Sequence, residues 1–221
     1  MPYWSDLVGV GATYLMIFLT ILVAEGLRKA KGYSPAFTRK IIHVGVGNWV
    51  FLWPLFFRHW FIAMIPPLSF IFINYASYRK ELIKAMEVKE RAGLGTVYYA
   101  FSNTVLVAAS CYINRLIVGA VGVMIMTWAD GLADVIGRRV GKHKYTVGGS
   151  TKSVEGSIGF LIIAIIASAI TLAYYGYSVA AALPTLLIIS LASTIVEAVS
   201  PKGTDNLTVP LLASLLYALL A

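Results

Sequence analysis

Long apolar stretches separated by short polar ones dominate the hydrophobic pattern of this 221-residue chain. Because a helix needs about 20 apolar residues to cross the hydrocarbon core of a bilayer, such stretches predict membrane-spanning helices. The apolar segments lie at 7–24, 41–57, 60–77, 96–113, 115–135, 157–175, 179–199 and 208–221. The pattern predicts an all-α integral membrane protein, with one polytopic domain over residues 1–221 built as a bundle of seven to eight transmembrane helices.

Two features modify this series of helices. Pro54 and the pair Pro66 and Pro67 fall inside predicted spans, and since proline cannot donate a backbone hydrogen bond, we expect kinks or breaks there. The polar stretch 78–95 has charges of both signs at helical spacing, which predicts a short amphipathic helix lying on the membrane.

Composition strengthens the membrane interpretation. Hydrophobic residues make up 59% of the chain and charged residues 13%, whereas about a quarter of a soluble domain is charged. The net charge of +8 would suggest nucleic acid as the partner of a soluble protein. Here, lysines and arginines next to the membrane explain the charge through topology and anionic headgroups, so we expect membrane lipid and no nucleic acid as a partner.

The distribution of basic residues predicts the topology. If the helices alternate, 16 of the 18 basic residues fall on one side, and only Arg58 and Arg115 on the other. The first apolar segment also has no basic residue before it and several just after it, the reverse of a cleavable signal peptide. By the positive-inside rule we expect a retained first helix, the N-terminus outside and the motif-bearing loops, with the active site, at the cytoplasmic face.

Candidate chemistry is concentrated between residues 127 and 157. Asp130 and Asp134 are four residues apart, so on an α-helix they share one face at about 6 Å between Cβ atoms. Like charges so placed repel unless a cation lies between them, which predicts a divalent metal bound by this pair. Basic residues and glycines follow, where backbone N–H groups can approach an anion. The basic residues are Arg138, Arg139, Lys142, Lys144 and Lys152, and the glycines include Gly137, Gly141, Gly148 and Gly149. Metal, cations and glycines together predict a polyphosphate site.

Two polar segments near helix starts have two interpretations each. Lys152, Ser153 and Glu155 lead into the segment 157–175, where a phosphate would meet free N–H groups and the helix dipole, but Ser153 and Glu155 could also form a simple cap. Asp205 and Asn206 could bind a metal or a hydroxyl, or serve as turn and N-cap residues.

Charged residues at other helix ends could be structural or functional. Arg39 and Lys40 enter the second helix, with His43 one turn further on; such residues usually anchor a span or are structural, and a functional role is the alternative. Glu197, like Asp130 and Asp134, lies at or inside a helix end, where an ionised group is costly and usually marks a site.

These motifs resemble the polyprenol kinase family, which contains dolichol kinase, phytol kinase, farnesol kinase and the CTP-dependent diacylglycerol kinase of yeast. The similar runs are ADGLADVIGRRVG at 129–141, KSVEGS at 152–157 and DNLTVP at 205–210, preceded by RKxxH at 39–43 and GTVYY at 95–99. The resemblance extends from residue 39 onward, in the family's order, and the short chain is nearest the phytol kinase-like branch. It implies a multi-pass enzyme that moves the terminal phosphoryl group of a nucleoside triphosphate, usually CTP, onto an isoprenoid or lipid alcohol.

The resemblance also implies roles for the motif residues. Phosphoryl transfer needs charge neutralisation and alignment, so we expect Asp130 and Asp134 to hold Mg²⁺ and Glu155 or Asp205 to orient or deprotonate the alcohol. Lys152 is expected to be catalytic as well. The residues expected to bind CTP are Arg138, Arg139, Lys142, Lys144, Ser153, Gly156, Asn206, Arg39, Lys40 and His43. The sequence has no Walker A spacing, so a soluble-kinase fold is not expected.

Two other functions fit part of the pattern. A cytidylyltransferase that makes a CDP-lipid would use the same nucleotide, metal and scaffold and release pyrophosphate. A transporter could relay cations through Asp130 and Asp134, although the acidic residues gather at one face rather than at the midplane, and no clear internal repeat is present.

Overall fold

The computed structural model describes residues 3–80, 82–83, 94–201 and 203–221. The predicted amphipathic helix at 78–95 falls mostly on residues 84–93, outside the described part. The helices are α1 (Trp4–Lys31), α2 (Pro35–Gly47), α3 (Trp53–Phe56), α4 (Trp60–Ala63), α5 (Ile65–Lys80), α6 (Gly95–Tyr112), α7 (Leu116–Met124), α8 (Gly131–Val140), α9 (Val154–Tyr174), α10 (Val179–Val199) and α11 (Asp205–Leu220). A 3₁₀ segment (Asn48–Leu52) joins α2 to α3, and a π-helical segment (Ile125–Asp130) joins α7 to α8.

Five helices of the described residues are long and apolar enough to cross a membrane. They are α1, the pair α4–α5, the continuous run from α7 to α8, α9 and α10. An all-α membrane protein is therefore supported, but the predicted count of seven to eight spans is not. Of the eight predicted segments, 41–57 is divided among three short elements, α11 at 208–221 has only 16 residues, and 96–113, which forms α6, is not among the five.

The break in the segment 41–57 has an identifiable cause. Pro54 has no N–H to donate to the Val50 carbonyl, and the chain adopts a 3₁₀ segment before it. The Tyr175 hydroxyl donates to the Val50 carbonyl and the Tyr174 hydroxyl to that of Phe51, each at 2.6 Å. The end of α9 therefore satisfies carbonyl groups at the break, as membrane proteins require.

The prolines of the segment 60–77 also act as the sequence predicts. The helix is interrupted at Met64, and α5 begins at Ile65, so that Pro66 and Pro67 lie in its first turn. Proline is tolerated there because the first N–H groups of a helix have no intrahelical partner. Both prolines are buried.

The run from α7 to α8 is the centre of the bundle. Its most apolar window is 78% buried, against 22–44% for the other candidate spans. Close packing depends on small residues, because a Cβ on Gly122 would overlap the Ser214 hydroxyl and the Pro210 carbonyl of α11. The core around this run includes Tyr99 of α6 and Phe160 of α9.

A β-hairpin lies between α8 and α9. Strands β1 (Lys144–Val147) and β2 (Ser150–Ser153) pair antiparallel, with Tyr145 opposite Lys152. Gly148 and Gly149 form the turn at φ +57° and +75°, values that glycine adopts without strain. The hairpin is fixed to α9 by a 2.6 Å hydrogen bond between the Tyr145 and Ser157 hydroxyls. The sequence predicted no strands here; the paired glycines form the turn of the hairpin.

Candidate active site

Three carboxylates from distant parts of the chain meet at one place. Asp130 ends the π-helical segment, Glu197 lies in the last turn of α10, and Asp205 begins α11. One potential ligand atom of each lies within 4.8 Å of those of the other two. Glu197 is buried, and Asp130 and Asp205 are half-buried. Such a group is suited to a hard divalent cation.

Two lysines contact this carboxylate cluster (Asp130, Glu197 and Asp205). Lys40 Nζ lies 2.7 Å from Asp130 Oδ2, and Lys152 Nζ lies 2.6 Å from Glu197 Oε1 and 3.8 Å from Asp205 Oδ2. The lysine side chains are 13% and 16% exposed, so the ion pairs are largely shielded from water. Among the described residues in these ion pairs, three carboxylates face two ammonium groups, which favours an additional cation.

The π-helical segment places Asp130 next to α2. Thr127 of this segment is buried and lies 2.7 Å from the Tyr99 hydroxyl, oxygen to oxygen. A Cβ on Gly47 would overlap both groups, so α2 can approach this closely only with glycine at position 47. Single π-helical turns are frequent at functional sites. This π-helical segment allows Asp130, between α7 and α8, to reach Lys40 of α2.

His43 is part of the same site. Its Nε2 lies 3.2 Å from the Met126 carbonyl oxygen and 3.7 Å from Asp130 Oδ2. Its ring packs against Tyr99 at 4.3 Å between centroids. His43 therefore packs tightly and also lies beside a charged group of the site. Its structural role is observed, and its functional role stays a prediction.

Asp205 and Asn206 do not form the N-cap that their sequence resembles. Thr204 is the N-cap residue, without a side-chain cap bond, and Asp205 is the first helical residue. Asp205 Oδ1 accepts from the Asn206 backbone N–H at 3.0 Å, while Oδ2 faces Lys152. Burial, reinforced by the negative charge of Asp130, raises the pKa of Asp205 to about 6.

The Asp134 carboxylate pairs with Arg138 and, unlike that of Asp130, is not part of the carboxylate cluster. Its Oδ2 accepts from Arg138 Nε at 3.1 Å and lies 3.0 Å from Arg138 Nη2, one turn along α8. It lines the same cavity, but it is not in the carboxylate cluster. The α-helical spacing suggested a metal pair of Asp130 and Asp134, whereas the structure groups Asp130 with Glu197 and Asp205.

The start of α9 is capped. Ser153 is the N-cap residue, and its hydroxyl accepts from the Gly156 N–H at 3.1 Å. Glu155 accepts hydrogen bonds from the His143 backbone N–H, and its Oε1 lies 2.7 Å from His143 Nδ1. The cap that the sequence left open is therefore formed, and Glu155 joins the residue before strand β1 to the start of α9.

A cavity of about 780 Å³ opens from the cluster. The sequence-predicted residues that line it are Arg39, Lys40, His43, Asp130, Asp134, Arg138, Lys144, Lys152, Ser153, Gly156, Asp205 and Asn206. The structure describes the three others, Arg139, Lys142 and Glu155, and they do not line it. The cavity also has apolar walls, which come from α1, α2 and α5.

The sequence alone assigns no role to two residues of the site. Glu197, as a costly charge at a helix end, predicts a site, but nothing in the sequence pairs it with Lys152 on the hairpin. Tyr99 lies in the GTVYY run, but only the structure shows that it contacts Thr127 and His43. The sequence does contain one signal for both residues, because each places a polar group in or beside an apolar segment.

Comparisons with known proteins give relatives along nearly the whole chain. A phytol kinase of Synechocystis sp. is 34% identical over 218 residues, which cover 98% of this chain and 91% of the relative. A chloroplastic farnesol kinase of Arabidopsis thaliana is 30% identical over 231 residues, covering 96% of this chain and 74% of the relative. A probable chloroplastic phytol kinase 1 of Oryza sativa subsp. japonica is 32% identical over 216 residues, 89% of this chain and 68% of the relative. No family model matches the chain, and no solved structure does.

Proposed function

The chain belongs to the phytol kinase-like polyprenol kinase family and is an isoprenoid alcohol kinase, and we propose that it uses CTP and Mg²⁺ at the carboxylate cluster. CTP is proposed because the family that the sequence resembles usually uses it. The acceptors proposed are phytol, geranylgeraniol, farnesol or a dolichol-type alcohol. Kinase relatives argue against the cytidylyltransferase and the transporter as alternatives.

One observation carries the proposal: carboxylates and lysines gather at one end of a cavity whose walls become apolar away from them. Phosphoryl transfer to a lipid alcohol needs this combination, because a triphosphate and a metal must be neutralised next to a hydrocarbon tail. Positioning and electrostatics supply most of the catalysis in this reaction class. The end of the cavity with the carboxylates and lysines, its polar head, would hold the triphosphate. The apolar part, its arm, would hold the lipid tail, so that the two substrates lie in line.

Asp130 and Glu197 are the residues that we propose hold Mg²⁺. The ion usually takes one or two protein carboxylates and completes its shell with water and substrate phosphates, so two facing carboxylates at a cavity wall suit it. When bound, Mg²⁺ would neutralise charge on the phosphates of the donor. Glu197 replaces Asp134 as the second ligand in this proposal, because Asp134 is paired with Arg138.

Cations along the cavity would bind the triphosphate. Lys40 and Lys152 are now paired with carboxylates, and a metal at the cluster would free their ammonium groups for phosphate oxygens. Arg138 and Lys144 also line the cavity. Asp134 would orient the Arg138 guanidinium, whose planar fork suits two phosphate oxygens.

Asp205 is proposed to receive the proton of the acceptor hydroxyl. The hydroxyl oxygen forms a bond to the γ-phosphorus, the bond from that phosphorus to the β–γ bridging oxygen breaks, and CDP leaves. Of the two candidates for this role, Asp205 lines the cavity and Glu155 is held by His143. A general base must lie within hydrogen-bond reach of the proton it takes, which the position of Asp205 on the cavity wall allows.

Label transfer tests the donor and the reaction together. With γ-labelled CTP and phytol or geranylgeraniol in detergent, label should enter the lipid phase in a Mg²⁺-dependent manner, and unlabelled ATP and UTP should compete weakly. With α-labelled CTP, label should stay in the aqueous CDP. If only α-label entered the lipid, and only with an acceptor already phosphorylated, the enzyme would be a cytidylyltransferase. If ATP or UTP competed as well as CTP, the donor assignment would fail.

A further inference from the structure

The apolar arm of the cavity runs between four helices. Its walls come from positions spaced by about one helical turn, so each helix presents one continuous face to the arm. The residues are Thr13, Ile17 and Ile21 of α1, Ile42 and Val46 of α2 with Trp49 beyond it, Pro66, Pro67 and Phe70 of α5, and Tyr99, Ala100 and Asn103 of α6.

The arm has a definite length. Along α2 and into the 3₁₀ segment, the lining runs from Lys40, at the carboxylate cluster, to Trp49, a rise of roughly 14 Å. On α6 it runs from Gly95 to Asn103, a rise of roughly 12 Å. The rises along α2 and along α6 therefore give similar distances from the polar head of the cavity to the far end of the arm.

Trp49 closes the far end. Its indole N–H donates to Asn103 Oδ1 at 2.8 Å, and the side chain is only 3% exposed. Behind it the chain is packed, because Trp53 and Phe57 contact the Trp49 ring at 5.0 and 6.3 Å between centroids and are buried. Trp49 is therefore backed by buried rings of this aromatic cluster, whose members the structure describes.

We infer that Trp49 is a specificity-determining residue that limits the length of the isoprenoid chain the arm can hold. The inference rests on the proposed function, because it assumes that the acceptor hydroxyl lies at the carboxylate cluster. With the hydroxyl fixed there, the first isoprene units extend toward Trp49, and a chain longer than the arm must bend at the indole or leave the cavity.

The two residues at the closed end hold each other in place. Trp49 cannot rotate away without breaking its hydrogen bond and leaving the buried Asn103 carbonyl oxygen without that donor, which is costly in an apolar interior. The end of the arm is therefore rigid rather than adjustable. A rigid end discriminates by length more sharply than a flexible one.

Chain-length profiles test the inference. The kcat/KM values for geraniol, farnesol, geranylgeraniol and a longer polyprenol are measured for the wild type, Trp49→Leu and Val46→Phe. Trp49→Leu should raise the ratio of longer to shorter acceptors by about tenfold, since one or a few methylenes in a pocket change discrimination by that order. Val46→Phe narrows the arm midway and should shift the preference toward shorter acceptors.

Trp53→Phe is the matched control. Trp53 is buried one turn further on in the same aromatic cluster and does not line the cavity, so this change should leave the profile unaltered. If Trp49→Leu does not fold, the smaller truncation Trp49→Phe takes its place and should shift the ratio in the same direction. Unchanged profiles in folded Trp49→Leu and Val46→Phe, with an active wild type, would overturn the inference alone. A wild type that phosphorylates no isoprenoid alcohol would instead overturn the proposed function.

Discussion

Lys152 and Glu197, 45 residues apart in sequence, form an ion pair with 2.6 Å between Nζ and Oε1. Lys152 also donates to the backbone carbonyl of Glu197. Their side chains are 16% and 10% exposed. The pair joins strand β2 of the hairpin to the end of α10, so it fixes the hairpin over the carboxylate cluster.

Breaking this pair should separate stability from activity. Lys152→Met leaves the Glu197 carboxylate largely buried without its main cation, so the free energy of unfolding in detergent should fall by about 3 kcal/mol. The double variant Lys152→Met with Glu197→Gln removes both charges and should regain most of that loss. Turnover should stay at least 100-fold below wild type in both variants, because both groups are proposed to act on the triphosphate and metal. Recovery of turnover in the double variant would mean that the pair is purely structural.

Asp130 and Asp134 should respond very differently to loss of charge. Asp130→Asn should lower turnover by at least 100-fold and raise the Mg²⁺ concentration needed for half-maximal rate, since loss of a metal ligand typically costs several kcal/mol. Asp134→Asn removes a partly exposed partner of Arg138, so less than a tenfold loss is expected. Thermal unfolding of both variants controls for misfolding. Equal losses of turnover and equal Mg²⁺ requirements would restore Asp134 as the second metal ligand.

Much of this arrangement follows from local pattern. The apolar runs predict the helices, and the prolines predict the breaks before Pro54 and at Met64. Both predictions use only residues that are close in sequence. The helices follow from the length of each apolar run, and the breaks follow from the missing N–H of proline. Gly148-Gly149 between strand-forming residues is also a local turn signal. Beside the basic residues, however, the same glycines predict an anion site instead.

The carboxylate cluster depends on contacts between distant segments. The spacing of Asp130 and Asp134 predicts a shared helical face, but the π-helical segment and the Lys40 ion pair direct Asp130 toward α10 and α11 instead. Glu197 lies near Asp130 and Asp205 because the end of α10 packs beside them, and the hairpin brings Lys152 to it. The spacing of these residues predicts neither the change from an α-helical to a π-helical period nor the contact of the hairpin with α10.

Gly47 should be intolerant of any side chain. A methyl group there would overlap the Thr127 side chain and the Tyr99 hydroxyl, both fixed in a buried hydrogen bond. Gly47→Ala should therefore destabilise the protein by about 1–3 kcal/mol and reduce activity, because α2 carries Lys40 and His43. Gly11→Ala is the control, since a Cβ there meets no atom within 4 Å. A Gly47→Ala protein with wild-type unfolding temperature and turnover would refute the close approach of α2.

Topology is the last prediction, and the site itself bears on it. The cavity head is formed by the start of α2, the start of α6, the end of α8, the end of α10 and the start of α11. When the predicted segments 41–57 and 96–113 are also counted as crossing the membrane, so that the eight apolar segments alternate, these are ends that the basic residues assign to the cytoplasm. One orientation therefore puts the whole site on the side where a nucleotide is available.

Cysteine labelling decides this topology. In a Cys111→Ser background, Thr146→Cys in the hairpin and Tyr177→Cys between α9 and α10 both present exposed thiols. Position 146 is preferred to Gly148, whose positive φ disfavours any side chain. In intact cells an impermeant maleimide should label position 177 and spare 146, and permeabilisation should expose 146. The reverse pattern would put the hairpin, and with it the active site, on the outer face despite 16 of 18 basic residues lying on its side.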